Sequence, residues 1–257
     1  MTRTTSDLMK AESDAQLEIG LRLSSLLALA EQMQSLFERA LDSVGLYPRP
    51  GAATVAATKV CMILAARLAN DFRVCCIASR LGYGLQAMGL AATMVEVVGA
   101  LSYVGDDEAR AIEWAKHTDK RKSYPPRVKD GIDAAMAGLG VTEHAVRDQW
   151  QRVYTSLCMA KHANPLLSMQ EGLRILPDGA YFARGPDPSQ SGVWTSCFAL
   201  CHAVGFASAA VCVFSKCCAD EAVQAQLRDE ALEVWHQLRD LEDVLVDLLA
   251  TPVTRPI

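Results

Sequence analysis

Two stretches of this chain carry almost no formal charge: 83–104 contains Glu96 alone, and 193–215 contains none. Each is long enough to cross a bilayer, which takes about 20 apolar residues. Both, however, are rich in Ala, Gly, Ser, Thr and Cys rather than Leu, Ile and Phe, and an ionisable group in mid-span is costly in lipid. The segments around them alternate polar and apolar faces at helical spacing, as helices covering a central pair in water do. The pattern therefore predicts a soluble helical bundle with no membrane span.

The periodicity predicts eight helices. Leu26, Leu29, Met33, Leu36, Phe37, Ala40, Leu41 and Val44 recur at three- and four-residue steps, so a single long helix is expected over 7–44, stopped by Gly45 and the Pro48, Pro50, Gly51 cluster. Further helices are expected over 53–81, 83–104, 108–122, 127–137, a Thr142-capped stretch to 163, 193–215 and 220–249. Around Pro177, Asp178 and Gly179, the runs LRIL and AYFA read as a β-hairpin. The expected fold class is all-α: a bundle of about seven to eight helices with one small β-hairpin insertion at about 173–183. At 257 residues this fits one domain over 1–257, with a long N-terminal helix, a core bundle of 53–163 and 193–249, and hairpin and loop at 166–192.

Charge and cysteine usage narrow the setting. A net charge of −5 argues against binding nucleic acid over the whole surface. The concentrated basic run, from His117 through Lys120, Arg121 and Lys122 to Lys129, has Trp114 and Tyr124 nearby and could grip phosphates locally. The opening residues mix both charge signs and lack the apolar run of a secretory signal, so the cytoplasm is the expected location. Nine cysteines, an odd number in apolar helical surroundings, read as reduced, packed thiols.

Candidate chemistry is sparse. No P-loop, dinucleotide fingerprint or GxSxG elbow is present. Glu96 and His202 are the ionisable groups that central helices would carry inside, where they could pair with each other. In YTSLCMAKHANP, Tyr154, Cys158 and His162 follow one another by one helical turn each, and Asn164 precedes the proline stop. Tyr154, Asn164 and His202 are therefore candidate ligand-binding residues. Glu233 and His236 have the Glu-x-x-His spacing of di-iron bundles but no second copy, and Cys197 and Cys201 offer two thiols without a four-ligand set. No metal and no cofactor are expected.

GYGLQAMGLAATMVE, the Tyr154–His162 helix end and the GPDP segment together resemble, over roughly 55–215, an uncharacterised bacterial all-helical family that is similar to the HEPN superfamily. The resemblance implies a helical domain in a defence or stress context, often a homodimer and often a ribonuclease. Glu96, Arg152 and His162 would then be the catalytic residues and RNA the substrate. The chain departs from the HEPN ribonuclease mark, an Arg and a polar residue with a His four to six residues beyond. Arg110 is followed by Ala111, nine residues lie between Arg152 and His162, and Ala92 and Thr93 stand where an arginine before Glu96 is expected. The alternative expectation is a non-catalytic small-molecule-binding or oligomeric assembly module.

Overall fold

The structure, a computed structural model, describes residues 5–44, 55–105, 107–117, 127–162, 173–176, 179–182 and 185–250. Among them are nine α-helices: α1 Thr5–Arg22, α2 Ser24–Asp42, α3 Val55–Arg80, α4 Gly84–Val104, α5 Glu108–Lys116, α6 Val128–Gly138, α7 His144–Lys161, α8 Gln190–Phe214 and α9 Glu221–Ala250. The two weakly charged stretches become α4 and α8, and these pack on each other at the centre. α2, α3 and α9 surround α8, while α3, α6 and α7 pack on α4. Both central helices are apolar enough to cross a membrane, and the surrounding helices bury 61% of the apolar window in α4 and 89% of that in α8.

Small residues let the central pair come close. A Cβ placed on Gly84 would lie 2.2 Å from Thr195 Oγ1 and 3.0 Å from the Ser196 nitrogen, so α8 packs against bare α4 backbone there. On another side of α4, Gly99 meets Gly131 of α6, where an added Cβ would stand 3.0 Å from the Gly131 Cα. Where side chains are larger they fill the core: Phe37, Phe72, Phe206, Phe214, Met33 and Leu68 are all fully buried.

The loop after the hairpin is tied to this centre. Gly82, at φ 82°, turns the chain between α3 and α4. Its carbonyl accepts the Asp187 N–H at 2.9 Å, and Asp187 Oδ1 accepts the Ser189 N–H at 2.9 Å. Ser189 caps α8, which thereby begins at Gln190 rather than at 193.

Several expectations need correction. The long N-terminal helix is two helices, broken at Leu23 (φ −112°, ψ 23°), with Ser24 and Ser25 immediately after the break. Serine side chains compete with the helix for backbone hydrogen bonds, and the break separates α1, which buries only Ala15 and Ile19, from α2, which buries eight residues. The helix expected to be capped by Thr142 is preceded by Glu143 and starts at His144. The helix over 108–122 ends at Lys116.

The β-hairpin does not stand as an element of the fold, so the all-α assignment holds without it. The described backbone has four-residue stretches, Leu173–Leu176 and Gly179–Phe182, that pair only with each other, and none of the principal packing interfaces of the bundle involves them. An isolated pair of strands this short is marginally stable at best without further strands or a helix to pack on. The Pro48–Gly51 stop, the stretch 118–126, Pro165, Pro177 and Asp178 lie outside the described residues.

Because Gly84 is pinned by backbone and Thr195, Gly84→Ala is expected to cost about 1–3 kcal/mol through overpacking. That is a fall in Tm of several degrees for a chain this size. Gly20→Ala, where the added Cβ meets nothing within 4 Å, should instead raise Tm slightly by improving helix propensity. Thermal melts by circular dichroism distinguish the two signs.

Candidate functional site

Glu96 is the lone carboxylate of α4, and α7 supplies its partners. Lys161 Nζ lies 2.7 and 2.8 Å from the two Glu96 oxygens, and the Tyr154 hydroxyl donates to Glu96 Oε1 at 2.9 Å. Gly89, two turns before Glu96, keeps this side of α4 low: a Cβ there would already touch the Lys161 Cα at 3.7 Å. The cluster sits at the rim, with the side chains of Lys161 and Glu96 28% and 38% exposed. Partial burial, the Cys158 thiol and the Glu96 carboxylate all push the Tyr154 hydroxyl well above the usual phenol range, so it stays protonated and donates.

Helix geometry decides which α7 residues join. Tyr154, Cys158 and Lys161, at i, i+4 and i+7, fall on one face. Arg152 is two residues before Tyr154, about 200° around the axis, and is exposed. Its side chain thus emerges on the other side of α7 from Glu96. His162 is exposed at the helix end, where its backbone N–H donates to the Cys158 carbonyl at 2.9 Å. Of the expected Glu96, Arg152 and His162, no two are joined by a hydrogen bond or ion pair, and Asn164 lies outside the described residues. Lys161 is the member that the spacing argument passed over. A single carboxylate on an apolar helix needs a cation, and Lys161 is the lysine one step before the histidine on the facing helix.

His202 does not pair with Glu96. It stands in a ladder of rings along α8: Trp194 stacks on Phe198 at 5.2 Å, Phe198 meets His202 at 4.3 Å, and His202 meets Phe206 at 6.3 Å. Phe206 continues to Trp150 of α7 at 4.7 Å, and Trp150 to Trp235 of α9 at 5.5 Å. His202 Nδ1 is 2.6 Å from the Phe198 carbonyl, so Nδ1 carries the proton of the neutral ring. Burial pushes its pKa down to about 4, against the smaller opposing effect of that carbonyl.

The remaining candidates are structural in their surroundings. Cys197 and Cys201 are buried with sulfurs 3.9 Å apart. Glu233 and His236 lie on the exposed side of α9, where Glu233 accepts from Gln237 at 2.9 Å. Among the described residues no three His, Cys, Asp or Glu side chains converge. A recess of about 500 Å³ runs along α9 between Glu221 and Leu232, away from Glu96 and His202.

No protein-family model, curated protein or solved structure matches the chain.

Two outcomes follow from this geometry. In a double-mutant cycle, Glu96→Gln and Lys161→Met should show a coupling of about 0.5–1 kcal/mol, as expected of a part-exposed pair, shrinking in about 0.5 M salt. For His202, the unfolded ring protonates near its model value of 6.5 while the folded ring resists until about 4. Stability should therefore fall as pH drops through that window and be unaffected above it. The loss is at most about 3 kcal/mol, the width of that window at about 1.4 kcal/mol per pH unit. Melts of wild type and His202→Phe from pH 7 to 4.5 should diverge, the variant being the flatter.

Proposed function

We propose that this chain is a HEPN-like helical domain that works by binding and assembly rather than by cutting RNA. The observation that carries this reading is the occupancy of Glu96: both carboxylate oxygens are taken up by Lys161 and Tyr154 of the same chain. A general base must reach the proton it abstracts, and an oxygen already bridged by an ammonium and a phenol is poorly placed to do so. Arg152 emerges on the other side of α7, and the cation that does stand beside Glu96, Lys161, is bound to the carboxylate itself rather than left open for a phosphate.

In this reading, the two segments that carry the resemblance, the α4 stretch with Glu96 and the Tyr154–His162 helix end, serve to lock α4 to α7. The surface is then available to a partner, and assembly into a homo-oligomer is the expected consequence.

Purified protein incubated with single-stranded, hairpin and transfer RNA should leave all three intact, and light scattering should report more than one chain per particle. Cleavage that disappears in His162→Ala or Glu96→Gln would overturn the reading in favour of a ribonuclease.

A further inference from the structure

Cys197 and Cys201 of α8 are one helical turn apart and 4 and 8% exposed, and their sulfurs meet at 3.9 Å, sharing an S–H···S hydrogen bond. The face that carries them runs along α9 in antiparallel order. Cys212 Sγ lies 4.0 Å from the Arg228 carbonyl, Gly205 lies against Trp235 and Leu238, and Cys201 comes under the charge of Glu242. A Cβ on Gly205, one turn past Cys201, would stand 3.0 Å from the Trp235 ring, so the two helices close up beside the pair.

Helix geometry opposes a disulfide here. Side chains at i and i+4 have Cβ atoms about 5–6 Å apart, whereas a disulfide needs about 3.8 Å and an S–S bond of about 2.05 Å. Closing it would halve the sulfur separation and deform α8. An atom placed between the sulfurs asks for less. At roughly 2.3 Å per metal–thiolate bond, a linear S–metal–S unit spans about 4.6 Å, so the sulfurs part by only about 0.7 Å.

The number of ligands selects the ion. Zinc takes three or four protein ligands, iron–sulfur clusters take four, and hard cations take a shell of oxygens. Among the described residues no third His, Cys, Asp or Glu joins this pair. His202, next in sequence, turns its ring to Phe198 and holds Nδ1 on the Phe198 carbonyl. Copper(I) is the soft cation that two sulfurs in an apolar, water-poor setting satisfy. Charge agrees with that choice. Burial and the neighbouring carboxylate both oppose added negative charge, and copper(I) in place of the shared hydrogen adds none. One S–H bond breaks and its proton passes to water. Copper then bonds both sulfurs, one as thiolate and one as thiol, with no change of oxidation state.

We propose that Cys197 and Cys201 form a two-coordinate copper(I) site between α8 and α9. The site shares no residue with the Glu96 cluster and stands or falls independently of the assembly reading.

The full chain, reduced and kept free of oxygen, is given copper(I) and then challenged with bicinchoninate, a competing chelator. Wild type should retain about one ion per chain and melt at a higher temperature with it, since an ion that binds only the folded chain stabilises it. Cys197→Ala and Cys201→Ala should each lower retention about tenfold or more, while Cys212→Ala, farther along the same face, keeps it. The copper X-ray absorption spectrum of the wild-type chain should report two sulfur neighbours and no nitrogen or oxygen, a readout that holds even where an alanine variant fails to fold. Wild type that retains no copper, retention unchanged in either variant, or a centre with three or more ligands overturns the site.

Discussion

The backbone approach of α4 to α8 at Gly84 governs the layout of this molecule. Helices that carry ordinary side chains pack with axes about 8–10 Å apart, and the missing side chain at Gly84 leaves the space that Thr195 of α8 fills. Two helices this apolar cannot remain exposed to water, so each recruits covering helices. α8 takes α2, α3 and α9, and α4 takes α3, α6 and α7. The second glycine contact, Gly99 with Gly131, repeats the device on the α6 side. The amphipathic helices are thus arranged by what they must cover.

The same constraint explains the polar residues. α4 is buried on several sides, and Glu96 is carried at the position where α7 leaves the rim open. There a lysine and a phenol satisfy it without the full desolvation that a central carboxylate would suffer. His202, deeper among rings, meets the problem differently by remaining neutral. One helix pairs its charge and the other declines to carry one.

Much of this architecture is legible in the sequence, because charge depletion is a one-dimensional signal: the two central helices and the α2 face follow directly from it. The break at Leu23 is harder to see, since the apolar spacing runs through it and the backbone hydrogen bonds from Leu23 to Ile19 and from Leu27 to Leu23 persist across it. The start of α8 depends on Asp187 and Gly82 meeting, a long-range contact that local pattern does not encode. At the site, helical spacing puts Tyr154, Cys158 and Lys161 on one face of α7, but that this face meets Glu96, and that Lys161 rather than His162 reaches it, depends on how α7 packs on α4 and where it ends.

The buried thiols bear on how this fold can be followed. Burial pushes Cys76 and Cys212 up to about 12, and Cys75 is raised for the same reason. Cys201 is raised first by its contact with Cys197. A protonated, covered sulfur is a poor nucleophile, so alkylation at neutral pH proceeds through transient opening of the helices that cover it. With buried cysteines on α3, α8 and the short 3-10 turn after α8, the chain carries its own set of clocks. The labelling rate of each buried thiol measures how often that part of the bundle breathes.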